Sequence, residues 1–377
     1  MSTAFASPPK LPTGSVAERL ASFERATVHH PQFDTAKQRI IHAIETAPPN
    51  TLVLLYGSPG VGKSRLLETI TRQLIASCES GPHKDAMGST RVPVVLVEAI
   101  APARGNFTCN DLFKEILIQI GEPLADKKLK HPAEFRPSRL STSANCTDLQ
   151  YAVESALRLW RPQAILVDEA QHLARVAAGR SRIQQLDVLK SVANRASTIH
   201  VLAGDYRLLS FRNLSGQLSR RSIDVHFRRY HAENESDRGV FIKILEALKN
   251  AIPLPEPPDL VAIWEYLYER SIGCVGVLAS WIRRALADCL VSDGNRMTLR
   301  HFERTALSAS QCERMLLEAT AGEDQLVERV STVTRLRASL GLTLAQAERN
   351  QPQVVATRNM RPGKRIPRPD PIGVADT

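Results

Sequence analysis

The sequence lacks several features, and each absence narrows its class. No apolar run reaches the ~18 residues that cross a bilayer, so no membrane-spanning helix is expected. The opening residues, Met1 to Lys10, lack the basic-then-apolar order of a secretory leader. The six cysteines, at 78, 109, 146, 274, 289 and 312, form no C-x-x-C pair. A zinc site or a disulfide framework is therefore not expected, and buried reduced thiols in a cytoplasmic protein are. The ten histidines include no H-E-x-x-H and no paired metal spacing. No internal repeat is visible, which argues against a solenoid or propeller.

The chain does have the makings of a large soluble protein. Its 377 residues are 43% hydrophobic and 23% charged, which suits a packed globule of two domains, or one with appendages. Negative charge is in deficit: 49 Lys and Arg face 39 Asp and Glu, a formal net charge of +10. That excess favours a polyanionic partner, with nucleic acid ahead of an anionic membrane. Solubility alone is the competing reading of the charge.

Composition divides the chain into five parts. Residues 1–30 read as an N-terminal arm with a short amphipathic stretch, Val16 to Ala26. Residues 31–233 alternate helical patterns with five near-continuous apolar runs. These are Thr51–Tyr56, Val92–Glu98, Ala164–Asp168, Thr198–Ala203 and Ser222–Phe227. Such runs between helices predict an α/β domain whose five-stranded parallel sheet is covered on both faces. Helices are expected over Phe33–Ile44, Lys63–Ser77, Asp111–Ile120, Asp148–Trp160 and Ile183–Arg195. Residues 234–310 carry only helical patterns, over Asp237–Lys249, Asp259–Arg270, Val275–Val291 and Thr298–Leu307. A helical extension is expected over 311–345, with Leu326, Val330, Val333, Leu336 and Leu340 as a packing stripe; a partner-binding helix is the alternative. Residues 346–377 read as a disordered basic tail.

The chemistry starts at Gly57-Ser58-Pro59-Gly60-Val61-Gly62-Lys63-Ser64, which fits G-x-x-x-x-G-K-[ST]. It follows a buried strand and opens a helix, the setting in which backbone N–H groups surround phosphate oxygens. Lys63 is placed to reach the outer phosphates and Ser64 to offer a hydroxyl to Mg²⁺, with Arg65 next on the helix. In Ala164-Ile165-Leu166-Val167-Asp168-Glu169, two carboxylates emerge at the C-terminal end of a parallel strand, where ligands bind. Asp168 is the candidate Mg²⁺ ligand and Glu169 the candidate for polarising the attacking water. Asp205, at the tip of the fourth strand, either senses nucleotide or caps the next helix. His172 reads as structural or as a relay. Arg220 and Arg221 precede the fifth strand as a basic turn.

Three basic clusters could meet nucleic-acid phosphates. The first is Arg104 with Lys127, Lys128 and Lys130. The second is Arg175, Arg180 and Arg182. The third is Arg361, Lys364, Arg365 and Arg368 in the tail.

The ordered set of GSPGVGKS, ILVDEAQH, VLAGD, a paired arginine before the last strand and a helical lid resembles an AAA+ ATPase. Within that group it is similar to the transposition regulators TnsC, TniB and MuB. The narrower match lies in His30-Pro31-Gln32-Phe33-Asp34, in Asp168-Glu169-Ala170-Gln171-His172, and in Ser271-Ile272-Gly273-Cys274-Val275-Gly276-Val277-Leu278. It covers about residues 30–310. The resemblance implies an ATP- and Mg²⁺-dependent protein that oligomerises on double-stranded target DNA as a ring or filament. It also implies recruitment of a transposase, a targeting partner of the TniQ or TnsD type, and disassembly on ATP hydrolysis. It assigns Arg220 or Arg221 as a finger acting on a neighbouring subunit's nucleotide. Two departures, Val275-Gly276 in place of a sensor arginine and Asp205 in place of a neutral sensor, imply slow hydrolysis. A helicase loader of the DnaC or IstB sort and a nucleotide-gated scaffold are the alternatives. No N-terminal helix-turn-helix domain of the MuB kind is visible.

Overall fold

The computed structural model describes residues 14–49, 51–79, 92–101, 109–121, 146–174, 191–212, 222–292 and 296–342. The chain falls into two compact units, Met1–Leu326 and Val327–Thr377.

In the first unit, α1 (Val16–Arg25) begins at a Ser15–Glu18 capping box. The next helix, α2 (Pro31–Thr46), has His30 as its N-cap and Pro31 in its first turn. Then come β1 (Leu52–Tyr56), α3 (Lys63–Glu79), β2 (Val94–Glu98), α4 (Cys109–Gln119), α5 (Cys146–Trp160) and β3 (Ala164–Asp168). A 3-10 turn over Ala170–Ala174 follows β3, and residues 191–196 are helical. β4 (Ile199–Gly204) leads through a second 3-10 turn, Tyr206–Leu208, into the single-turn α6 (Leu209–Arg212), and β5 (Ser222–His226) ends the sheet.

The five strands are all parallel, in the order β2-β3-β4-β1-β5. Alternate side chains serve opposite faces. Leu52, Leu54, Val95, Val97, Ile165 and Leu202 pack with α4 and α5. Val53, Leu55, Val94, Leu166, Val201 and Val225 pack with α2 and α3. This double burial is why the strands are apolar throughout.

The helical part comprises α7 (Glu235–Ala251), α8 (Trp264–Ser271), α9 (Val275–Ser292), α10 (Leu299–Thr305) and α11 (Ala309–Glu323). Its core is built on Phe241, Leu245, Leu278, Trp281, Ile282, Leu286 and Phe302. Three expectations change in detail. The helix foreseen from Asp259 starts at Trp264, because the Asp259 carboxylate accepts from the Val261 N–H and holds a turn first. The stretch read as an arm is docked: Phe23 of α1 is buried in the helical core, and Arg19 donates to the Pro253 carbonyl at 2.8 Å. Residues 309–323 also belong to this body, since Cys312 and Ala319 of α11 pack with Ile272 and Cys274.

The second unit contains α12 (Val330–Ser339), which buries none of its residues. The expected stripe is thus not packed as one. Leu326 contacts the α/β core, extended backbone at Arg329 breaks the helix, and Val330, Leu336 and Leu340 are exposed. The helix expected from Ile183 is described only over 191–196, and the tail beyond Leu342 lies outside the described residues.

Candidate functional site

The loop between β1 and α3 builds the site. Gly62 sits at φ +116°, a conformation open to glycine and costly for other residues. The loop's lysine, Lys63, is buried, and its Nζ donates to the carbonyls of Gly57 at 2.9 Å and Ser58 at 3.0 Å. No carboxylate among the described residues comes within ion-pair distance of it. Burial pushes the Lys63 ammonium below its usual range, while the fields of Asp168, Asp205 and Glu169 act in the opposite direction. A buried cation with no counter-ion is costly unless an anion joins it, so the loop suits phosphate. The Ser58 side chain is also buried. Ser64 is exposed at the helix start.

The acidic pair lies at the end of β3. The Asp168 carboxylate accepts from the Glu169 N–H at 2.8 Å. Glu169 has φ +50°, a left-handed conformation that strains a residue with a side chain. The 3-10 turn that follows holds it there, with the His172 N–H donating to the Glu169 carbonyl at 3.0 Å. The Gln171 side-chain amide donates to the Glu169 carboxylate. His172 Nε2 lies 3.9 Å from that carboxylate, and its Nδ1 is buried without a partner among the described residues.

At the tip of β4, Asp205 takes the capping role: it accepts from the Arg207 N–H at 2.9 Å and pairs with the Arg207 guanidinium at 2.6 Å. Its charge is thus partly met by a neighbour. Arg65 engages α1, donating to the carbonyls of Glu24 at 2.8 Å and Arg25 at 3.1 Å. It ties the N-terminal helix to the helix that carries the phosphate loop.

The helical part closes on this loop. The Val277 N–H donates to the Gly60 carbonyl at 2.9 Å. A Cβ on Gly276 would stand 2.5 Å from the same oxygen, so this contact requires glycine there. Cys274, one turn earlier, has its thiol pushed up to about 12 by burial, which makes it an inert packing group. Arg229, also buried, joins the segment after β5 to α11 through Glu323 at 2.9 Å. A cavity of about 700 Å³ lies beside the loop, between Pro59, Gln171, Asp205 and Tyr206 on one side and Glu318 of α11 and Gln325 just after it on the other.

The structure therefore brings Lys63, Asp168, Glu169 and Asp205 into one electrostatic neighbourhood. Sequence reasoning assigned no role to Gln171, although it lies inside the DEAQH run. It also missed the lid contact at Gly276. Arg104, Lys127, Lys128, Lys130, Arg175, Arg180, Arg182, Arg220 and Arg221, and the tail residues Arg361, Lys364, Arg365 and Arg368, lie outside the described residues. Among the described residues, no cluster of three or more His, Cys, Asp or Glu is placed to hold a metal. No helix among them is long and apolar enough to cross a membrane.

Residues 49–212 match the family model described as an AAA domain. No curated protein matches the chain. Among solved structures, the chain is similar to the Aeropyrum pernix ORC1 protein in complex with DNA. Identity there is 17%, over 76% of this chain and 68% of that one, with a TM-score of 0.51. It is similar to the Aeropyrum pernix ORC2 protein at 16% identity, over 76% and 72% of the two chains, with a TM-score of 0.48. It is similar to domain III of the Thermotoga maritima replication initiation protein DnaA at 14% identity, over 79% and 95%, with a TM-score of 0.40. At such identities the likeness is one of fold, and function has to be argued from the site. The region from 49 to 212 is an AAA-type P-loop domain, a nucleotide-binding fold.

Proposed function

We propose that this AAA-domain protein is an ATP-hydrolysing, DNA-binding regulator of transposition that assembles on double-stranded target DNA. The observation that carries the nucleotide part is Lys63: a buried ammonium in a glycine loop, satisfied among the described residues only by the carbonyls of Gly57 and Ser58. A triphosphate entering the loop offers the anion this group lacks. Ser64 and Asp168 are the residues that would hold Mg²⁺, whose charge helps neutralise the phosphates when it is bound. The donor set of a hydroxyl, a carboxylate and phosphate oxygens suits that hard cation. Glu169 orients the attacking water and accepts its proton. The close contact of α9 with Gly60 makes the helical part responsive to what the loop holds.

DNA binding is supported by the net charge of +10 and by the fold shared with an ORC1 protein solved on DNA. Assembly and the transposition role are supported by the motif set: HP-x-F-D, DEAQH and the SIGCVGVL stretch. In this reading Arg220 or Arg221 reaches the nucleotide of a neighbouring copy, so a bound triphosphate favours the oligomer and its cleavage favours release. A transposase is recruited to the assembled form, and a TniQ- or TnsD-type partner selects the site. Phosphate contact from the basic clusters needs no base readout, which suits that division of labour.

The test pairs purified protein and duplex DNA with ATP, ADP or a non-hydrolysable analogue, read by sedimentation. DNA-bound oligomers with the triphosphates and none with ADP support the proposal. Monomers under all three conditions overturn its assembly part. A helicase loader is the second reading, on the same shared fold. A stable complex with a replicative helicase, and no effect on transposition in a reconstituted reaction, would favour it.

A further inference from the structure

Gln171 is buried, and both ends of its side chain are used. Its Nε2 donates to the Glu169 carboxylate. Its Oε1 accepts from the backbone N–H of Asp205, at 3.3 Å, 34 residues along the chain. Only this orientation of the amide satisfies both neighbours. Among the described residues, Gln171 is the only hydrogen-bond donor to that carboxylate. The adjacent strand offers no substitute, because β2 places Glu98 in register with Asp168.

The partner at the other end is equally specific. Gly204 is the last residue of β4, and a Cβ there would stand 2.3 Å from Gln171 Oε1. The missing side chain is what admits the amide to the strand tip. The Glu169 backbone is held left-handed by its turn, but its half-exposed carboxylate has freedom that the turn does not remove. An amide N–H on one oxygen fixes the carboxylate plane and leaves the second oxygen available.

We infer that Gln171 is a positioning residue for hydrolysis, tying the Glu169 carboxylate to the tip of β4 beside the phosphate loop. This rests on the reading that Glu169 orients the attacking water. Gln171 itself touches neither phosphate nor water. Its effect belongs to the chemical step and not to nucleotide affinity, because the loop and Lys63 bind phosphate without it.

Three variants separate the possibilities. Gln171→Leu removes both hydrogen bonds at similar volume. Gln171→Glu keeps an acceptor for the Asp205 N–H and places a carboxylate against Glu169. Gly204→Ala keeps the glutamine and displaces its amide. For each, ATP turnover with Mg²⁺ and duplex DNA, equilibrium affinity for a fluorescent ATP analogue, and the melting midpoint are measured. The expected result is a fall in kcat of about tenfold or more in all three, with KM and analogue affinity within about threefold of wild type. A kcat unchanged in the two Gln171 variants overturns the inference. So does a loss carried by affinity in proportion to a lowered melting midpoint, since that describes a merely structural residue. Wild-type protein without turnover overturns the hydrolytic reading and this inference with it; wild-type turnover with unaffected variants overturns the inference alone.

Discussion

At the residue scale, the proposed function divides the site into groups that bind and groups that act. In that reading Lys63 is the binding group, because it is a buried charge with no carboxylate paired to it among the described residues. Lys63→Ala is expected to abolish measurable ATP binding, a loss of about a hundredfold or more, in a calorimetric titration. Glu169 belongs to the acting groups. Glu169→Gln should bind ATP with affinity near wild type, lose about a hundredfold or more in kcat, and accumulate DNA-bound oligomers. Equal disassembly rates for this variant and wild type would favour the nucleotide-gated scaffold instead. Two histidines away from the site set a pH dependence. His30 and His200 are buried, and burial pushes each down to about 4 from the ordinary 6.5. The unfolded chain then binds protons that the folded chain refuses between pH 6.5 and 4. Stability is therefore full above about pH 6.5 and falls progressively as pH drops toward 4, by a few kcal/mol in all. Urea denaturation at pH 7.5, 6 and 5 should show that decline. His200→Gln should flatten part of it, because the amide still donates toward the Thr198 carbonyl that His200 meets at 3.2 Å and does not titrate. A midpoint constant down to pH 5 would contradict the burial argument.

At the element scale, the loop and the lid meet backbone to backbone at Gly60 and Gly276. Gly276→Ala places a Cβ against the Gly60 carbonyl and must shift α9 or the loop. The expected outcome is weakened ATP binding with little loss of global stability, seen by comparing nucleotide titration with thermal melting. Trp281, fully buried in the helical core with its indole N–H on the Phe302 carbonyl at 3.1 Å, behaves in the opposite way. Trp281→Ala should cost about 3–5 kcal/mol of folding stability through the cavity it leaves. The elements also show what a sequence can reveal. The strands are legible because a sheet covered on both faces makes each one an apolar run, and Gly57–Ser64 is legible because its spacing encodes a backbone path. The partner of an amphipathic helix is not legible. The stripe on α1 says that one face is buried, and not that Phe23 enters the helical core. The Leu326–Leu340 spacing looked continuous because side-chain period carries no information about the extended backbone at Arg329. Gln171 joins a turn to a strand tip 34 residues away, a pairing that no local pattern contains.

At the scale of the whole molecule, the net charge of +10 suits a polyanionic partner, and the proposed function makes that partner duplex DNA. Such binding releases counter-ions, so affinity for duplex DNA should fall steeply between 50 and 200 mM salt, with little preference for sequence. The proposed assembly links the scales, because in it one triphosphate would be read by a buried lysine, by a lid resting on the loop and by a neighbouring copy. Electron microscopy of wild-type protein on duplex DNA with a non-hydrolysable ATP analogue tests that link most directly. The account predicts closed or helical assemblies in which each nucleotide lies at a junction between two copies, facing the segment that carries Arg220 and Arg221. Subunits on DNA with their nucleotide loops open to solvent and no neighbouring copy against them would contradict it.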